Sequence, residues 1–321
     1  MKKYVAILVL VTIFLVSVCA CCACNNDEIT LYVPDGAPAL SVAKIVSDGK
    51  VGKTSVTTVV TTGEDVQAKC ASGQADMAVL PTNAAVKICS SRDDYLLFSV
   101  NVYGVLYIVG TQHIDSLAEL KGETLYSIGL GNTPEFVFKT ICDAKGVSYA
   151  GADGITIQYE TDASTIIPQM LGGNAKFALV GEPAVTQLKN KAASAGKTME
   201  TLFDLQVLWQ ETTGSDEMGY PQASMIVKKD LLTDRFAKQL MDALKANYEF
   251  ATTNCGELNS ILRGAGSLLD LTYTVELIDR FNIGATPASL AVADLNTYLG
   301  KFSALANLLP LSEDIIYEAN D

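Results

Sequence analysis

Short apolar runs alternate with amphipathic stretches of roughly ten residues through most of the chain. Ile29–Val33, Val56–Thr61 and Met77–Leu80 read as strands, rich in β-branched or apolar residues and bounded by turn formers. Between them, Pro38 opens a helix that runs to Asp48 and stops at Gly49. Glu64–Ala71 reads as a helix closed by Gly73, and Asn83–Cys89 as a shorter one. The same order returns downstream: strand Glu123–Ile128, helix Pro134–Lys145, strand Ile155–Tyr159, helix Ser164–Leu171, strand Phe177–Val180 and helix Ala184–Ala192. Alternation of this kind predicts parallel βαβ units.

The two series also match residue by residue. Gly73, Ala75, Ala78 and Ala84 recur as Gly173, Ala175, Ala178 and Ala184, and Leu31-Tyr32, Pro38 and Lys44 are echoed by Leu125-Tyr126, Pro134 and Lys139. This duplication predicts two similar α/β lobes whose strand-end loops face each other across a cleft, which is where open parallel sheets bind ligands. Tyr95–Thr111 is too long for an ordinary strand and reads as a segment leaving lobe one for lobe two. Leu202–Gln210 reads as the return crossing, and Gln222–Val227 as a strand back in lobe one. From Thr233 onward the apolar spacing is helical. The expected lobes are residues 28–103 with 211–321, and residues 104–210.

Ahead of the lobes stands a different kind of segment. Lys2-Lys3, the apolar run Tyr4–Val18 and the cluster Cys19, Cys21, Cys22 and Cys24 precede polar Asn25-Asn26-Asp27-Glu28. The apolar run is shorter than the roughly 20 residues of a bilayer span. It resembles a lipoprotein signal peptide over residues 1–20, with Val18-Cys19-Ala20-Cys21 as lipobox and Cys21 as the acylated residue. Cys24 is the second choice. This places the mature protein on the outer face of a bacterial cytoplasmic membrane, held by lipid.

Composition narrows the partners. Without Lys2 and Lys3, 21 basic residues face 36 acidic ones, a net charge near −15 that argues against nucleic acid. Cys70, Cys89, Cys142 and Cys255 show no metal-ligand spacing, and three disulfide pairings are open to them. Cys70 and Cys142 lie on apolar helix faces and read as buried thiols. No Gly-x-Ser-x-Gly elbow or Walker loop is present, and Gly129-Leu130-Gly131-Asn132 lacks the third glycine of a dinucleotide loop. His113, the one histidine, reads as a surface residue. Neither a catalytic group nor a cofactor nor a metal is expected.

The lipobox, the paired Gly-x-Ala-x-x-Ala units, Leu120-Lys121-Gly122-Glu123-Thr124 and Gln222-Ala223-Ser224-Met225-Ile226-Val227 resemble substrate-binding proteins of ABC importers. The nearest group is the nitrate/sulfonate/taurine type with its thiamine-pyrimidine relatives. The resemblance implies the periplasmic-binding-protein type II fold, an α/β clamp of two βαβ lobes with a helical C-terminal part. It also implies delivery of a small solute to an ABC permease, and a monomer is expected. An extracellular sensor lipoprotein, and less so a secreted enzyme on this fold, stay open as alternatives.

The strand-end loops supply the candidate binding residues. In lobe one they are Asp35, Gly36, Ala37, Thr62, Gly63, Thr82 and Asn83; in lobe two, Asn132, Thr133, Thr161, Asp162, Gly181 and Glu182. Most of these types also cap helices. The family pattern puts an acidic residue before Pro, here Glu182-Pro183, against the ligand. No Lys or Arg occurs in these loops, whereas Asp35, Glu64, Asp162 and Glu182 do, which favours a neutral, zwitterionic or partly cationic solute such as a nitrogen heterocycle. Tyr32, Tyr103, Tyr126 and Trp209 are the aromatics expected along the cleft.

Overall fold

The computed structural model describes residues 28–151, 153–161, 163–214 and 219–318. Cys21 therefore lies outside the described residues, as does Asp162.

The chain builds two mixed sheets. The strands of the first are β1 (Ile29–Pro34), β2 (Lys50–Val51), β3 (Thr54–Thr61), β4 (Met77–Pro81) and β5 (Tyr95–Val102). Those of the second are β6 (Leu106–Gly110), β7 (Thr124–Ser127), β8 (Thr156–Tyr159), β9 (Phe177–Gly181) and β10 (Glu200–Asp204). The chain then returns to add β11 (Ala223–Lys228) and β12 (Ile283–Pro287) to the first sheet. The orders are β12-β5-β11-β4-β1-β3-β2 and β10-β6-β9-β7-β8.

Within these orders the duplication is topological. The run β3-β1-β4-β11-β5 in lobe one corresponds to β8-β7-β9-β6-β10 in lobe two. Each contains one antiparallel strand between the third and fifth, and that strand is the one arriving from the other lobe: β11 pairs antiparallel with β4, and β6 with β9. Register agrees too, since Leu31 pairs with Met77 and Leu125 with Phe177. The repeated glycines end their helices alike. Gly73 and Gly173 hold φ of 74° and 80°, and the next residue donates back to Lys69 and to Gln169, both at 2.9 Å.

Three apolar clusters fill the molecule. One lies between the large sheet and the helices Ala37–Leu40, Ala43–Asp48, Asp234–Lys245 and Leu258–Gly264. A second lies between the small sheet and the helices Ala163–Gly172 and Ala184–Ser194. The third runs from lobe one through the crossings into lobe two. At its centre Trp209, Tyr220 and Tyr298 are buried with ring centroids 5.4–5.7 Å apart, and Phe302 joins Tyr298 at 4.8 Å. Each such ring removes about 150–250 Å² from water, worth roughly 4–6 kcal/mol at 25 cal/mol per Å². That far exceeds the about 1 kcal/mol of the Thr133 Oγ1 to Tyr298 hydroxyl bond at 2.8 Å. Aromatic burial, more than hydrogen bonding, holds the C-terminal arm to lobe two.

The structure revises several element readings. Tyr95–Thr111 is two strands, β5 and β6, parted at Tyr103-Gly104-Val105. Leu202–Gln210 is not a crossing strand. β10 ends at Asp204, whose carboxylate accepts from Gln206 N and Val207 N and so opens the helix Leu205–Thr213. The return passes beyond Gly214 and reaches β11 through Gly219–Gln222. The C-terminal part is not helical throughout, because β12 adds an edge strand to β5.

Cys70, Cys89, Cys142 and Cys255 are free thiols, the first three buried. Burial pushes each of those three from the ordinary 9 to about 12. Native protein from Glu28 onward is therefore expected to react at pH 8 with a disulfide reagent only at partly buried Cys255, and at all four once unfolded. The unfolded thiols ionise near 9 and the folded ones only near 12, so folding stability should fall as pH rises above 9.

Candidate functional site

The carboxyl ends of β1, β3 and β4 point across an open cleft at those of β7, β8 and β9. The cleft encloses about 490 Å³, within the range of small-molecule sites. From lobe one come Asp35, Gly36 and Ala37 after β1, Gly63 after β3 and Pro81 at the end of β4. From lobe two come Ile128, Asn132 and Thr133 after β7, Ala163 and Ser164 after β8, and Gly181, Glu182 and Pro183 after β9. Both crossings reach it, through Val105 and Leu106 on one and Gln222 and Ala223 on the other.

Asp35, Gly36, Ala37, Gly63, Asn132, Thr133, Gly181 and Glu182 thus come together along one cavity. Thr62, Thr82, Asn83 and Thr161 are not among its walls. Thr62 caps the helix Gly63–Ala71, accepting from Asp65 N at 3.2 Å. Thr82 is buried against Ser224, hydroxyl to hydroxyl at 2.8 Å. Asn83 is also buried, and its Oδ1 has no hydrogen-bond partner. Thr161 is exposed. None of Tyr32, Tyr103, Tyr126 and Trp209 lines the cavity, and Trp209 belongs to the core. The walls are aliphatic and proline-rich instead, with Ile167 and Leu269 beside those already named.

Among the described residues the walls hold two carboxylates, Asp35 and Glu182, and both are engaged within the protein. Asp35 accepts from Gly36 N at 2.9 Å, from Ser267 Oγ at 2.7 Å and from Leu268 N at 2.9 Å, which fastens the loop carrying Leu269 to the end of β1. Asp35→Ala should release that loop. Amide exchange of residues 266–271 is expected to rise at least tenfold, while exchange in β7–β9 stays unchanged.

Glu182 has a fully buried side chain and a partner on the other lobe. Arg280, at the end of the helix Val275–Arg280, donates from Nε to Glu182 Oε1 at 2.9 Å and from Nη2 to Thr186 Oγ1 at 3.2 Å. Thr186 itself donates to Glu182 through N at 3.2 Å and through Oγ1 at 3.1 Å. The pair therefore ties the β9 loop of lobe two to a helix of lobe one across the cleft edge. Nothing in the sequence couples positions 98 apart, and Arg280 escaped notice for that reason. Gln222 is the more legible omission, as it stands at the head of a predicted strand.

Close by, Glu135 accepts from Gly131 N at 2.6 Å and pairs with Lys139. Burial works to raise its carboxyl, and the Lys139 ammonium with the Gly131 N–H outweighs it, holding the group below the usual carboxylate value. His113 lies outside the cavity walls and is exposed. It is flanked by Glu200 at 3.0 Å and Asp115 at 3.1 Å, which raise its pKa. Asp115 lies two residues on in the sequence, whereas Glu200 arrives on β10 and is brought in only by the fold. Among the described residues no cluster of His, Cys, Asp and Glu could hold a metal ion.

No protein-family model and no curated protein matches the sequence. Solved structures do match. An ABC transporter protein from Parabacteroides distasonis superposes with a TM-score of 0.75 at 20% identity, over 91% of this chain and 99% of that one. The periplasmic aliphatic sulphonate binding protein SsuA of Escherichia coli gives 0.63 at 12% identity, over 92% and 93%. The ligand binding component of an ABC-type import system from Staphylococcus aureus, solved with zinc bound, gives 0.63 at 11% identity, over 91% and 99%. The chain has the fold of the type II periplasmic binding proteins, which these neighbours share.

Proposed function

We propose that this chain is the extracytoplasmic solute-binding component of an ABC importer, capturing a small organic solute between its lobes and presenting it to a membrane permease. The observation that supports this reading best is the cavity of about 490 Å³ whose walls come from equivalent strand ends of both lobes. A solute held there touches both halves, and only contacts to both can shift the balance between open and closed clamps. The moving bodies in this reading are residues 28–103 with 211–321 and residues 104–210, with the second boundary shifted past the helix Leu205–Thr213. In this reading the protein works as a monomer without catalysis or cofactor.

Anchoring belongs to the same proposal. Among the described residues no helix is long and apolar enough to cross a membrane, and acylation of Cys21 after removal of residues 1–20 would hold the clamp beside its permease. Mass spectrometry of the processed N-terminus is expected to find a lipid on Cys21. A mature chain that begins elsewhere without lipid rules this part out.

Solute capture is tested by thermal-shift screening of the soluble body against a broad panel of organic solutes. A true ligand at 100 times its Kd adds about 2.7 kcal/mol of stability. A panel that includes the organism's imported solutes and yields no shift would contradict the proposal.

A further inference from the structure

Helices that open on this cleft already carry carboxylates where a bound anion would sit. Asp35 accepts from Gly36 N, just ahead of Ala37–Leu40. Glu64 and Asp65 occupy the first turn of Gly63–Ala71. Glu135, in the first turn of Thr133–Ala144, accepts from Gly131 N, and Glu182 accepts from Thr186 N in the first turn of Ala184–Ser194. The partial positive charge of these helix ends is thereby satisfied by the protein's own acids.

Three of those acids are engaged from within, Glu182 by Arg280, Glu135 by Lys139 and Asp35 by three neutral donors. Among the described residues no lysine or arginine lines the cavity. An anion entering here would meet no cation and would face carboxylates. Among the described residues, a cation would find both wall carboxylates already engaged. In either case an ion stripped of water between Val105, Ile128, Ile167 and Leu269 has little to replace its hydration.

We propose that the cleft takes an uncharged, largely apolar small organic solute, gripped through the amide side chains of Asn132, Gln187 and Gln222 that line it. Gln222 Oε1 accepts from Val105 N and Asn132 Nδ2 donates to Leu130 O, so the solute is met by Gln222 Nε2 and Asn132 Oδ1. The assignment rests on the solute-capture reading and narrows it. It also separates this chain from the sulphonate-binding protein that shares its fold.

The test uses compounds matched in skeleton that carry a charged or a neutral polar group: arene- and alkanesulfonamides against the sulfonates, carboxamides against carboxylates, and alcohols against alkylammonium ions. Binding to the mature protein is measured by melting temperature and titration calorimetry. In every pair that binds, the uncharged member should bind at least roughly 100-fold tighter. Its affinity should change less than about twofold between roughly 20 and 500 mM salt, because no counter-charge is screened. A sulfonate, carboxylate or ammonium preferred over its neutral partner overturns the assignment and leaves solute capture standing. Binding by no member of any pair overturns the assignment and tells against solute capture as well.

Discussion

Arg280→Met should weaken solute binding about 10- to 100-fold, nearly all of it as faster release. The guanidinium is the lobe-one half of a pair whose lobe-two half, Glu182, is fully buried. Removing it leaves that carboxylate, among the described residues, with Thr186 as its hydrogen-bond partner. An exposed ion pair contributes little, about 0–1 kcal/mol. This one is exposed on the Arg280 side alone, so a coupling of about 1–3 kcal/mol is expected, between the surface and buried limits. The pair spans the two lobes, so its loss is expected to favour their separation and to act on the off-rate. Stopped-flow dissociation measures it, and Arg280→Lys should recover part of the effect by restoring charge without the two-pronged geometry. An unchanged off-rate in Arg280→Met would mean that the pair only decorates the cleft edge.

The second large effect belongs to the crossings. Gly219→Ala should lower folding stability by about 2–4 kcal/mol. Gly219 has φ of 103°, and an added methyl group would lie 2.1 Å from the backbone oxygen of Tyr103. Backbone cannot swing aside as a side chain can, so the two crossings must separate. Asn282 donates to the same carbonyl oxygen and accepts from Tyr103 N at 3.0 Å through its own backbone, which ties β12 into the joint. Gly122→Ala is the control, having φ of 79° and nothing within 4 Å of the added carbon. It should cost only the conformational strain, about 1 kcal/mol. Urea denaturation of the two variants separates contact from strain, and equal losses would contradict the account of the hinge.

How much of this was legible in the sequence follows from the range of the forces involved. Strands such as β3, with its run of Thr and Val, and helices such as Gly63–Ala71, capped by Thr62 and ended near Gly73, are set by neighbours a few residues away. Their order, and the echo of Leu31 and Ala78 in Leu125 and Ala178, was enough to predict two equivalent lobes and the loops between them. Misreadings fall where local signals mislead. Leu205–Thr213 is apolar enough to resemble a strand, and its helical state depends on the Asp204 cap. β12 sits in a weakly patterned stretch and is fixed by pairing with β5 nearly two hundred residues earlier. Within the site, backbone-rich loops were found because Gly and Pro advertise them. Whether a carboxylate faces solute or an arginine depends on partners distant in sequence, as Asp35 with Ser267 and Glu182 with Arg280 both show.

The central claim is that the two lobes close on a solute held between them. Spin labels placed on exposed Ala68 in lobe one and exposed Lys189 in lobe two, with Cys255 replaced by Ser, report the distance between the lobes directly. Addition of a solute identified by thermal shift should narrow the distance distribution to a single shorter separation, and Arg280→Met should broaden it again toward the open form. A distribution that does not change when a tightly bound solute is added would contradict the clamp.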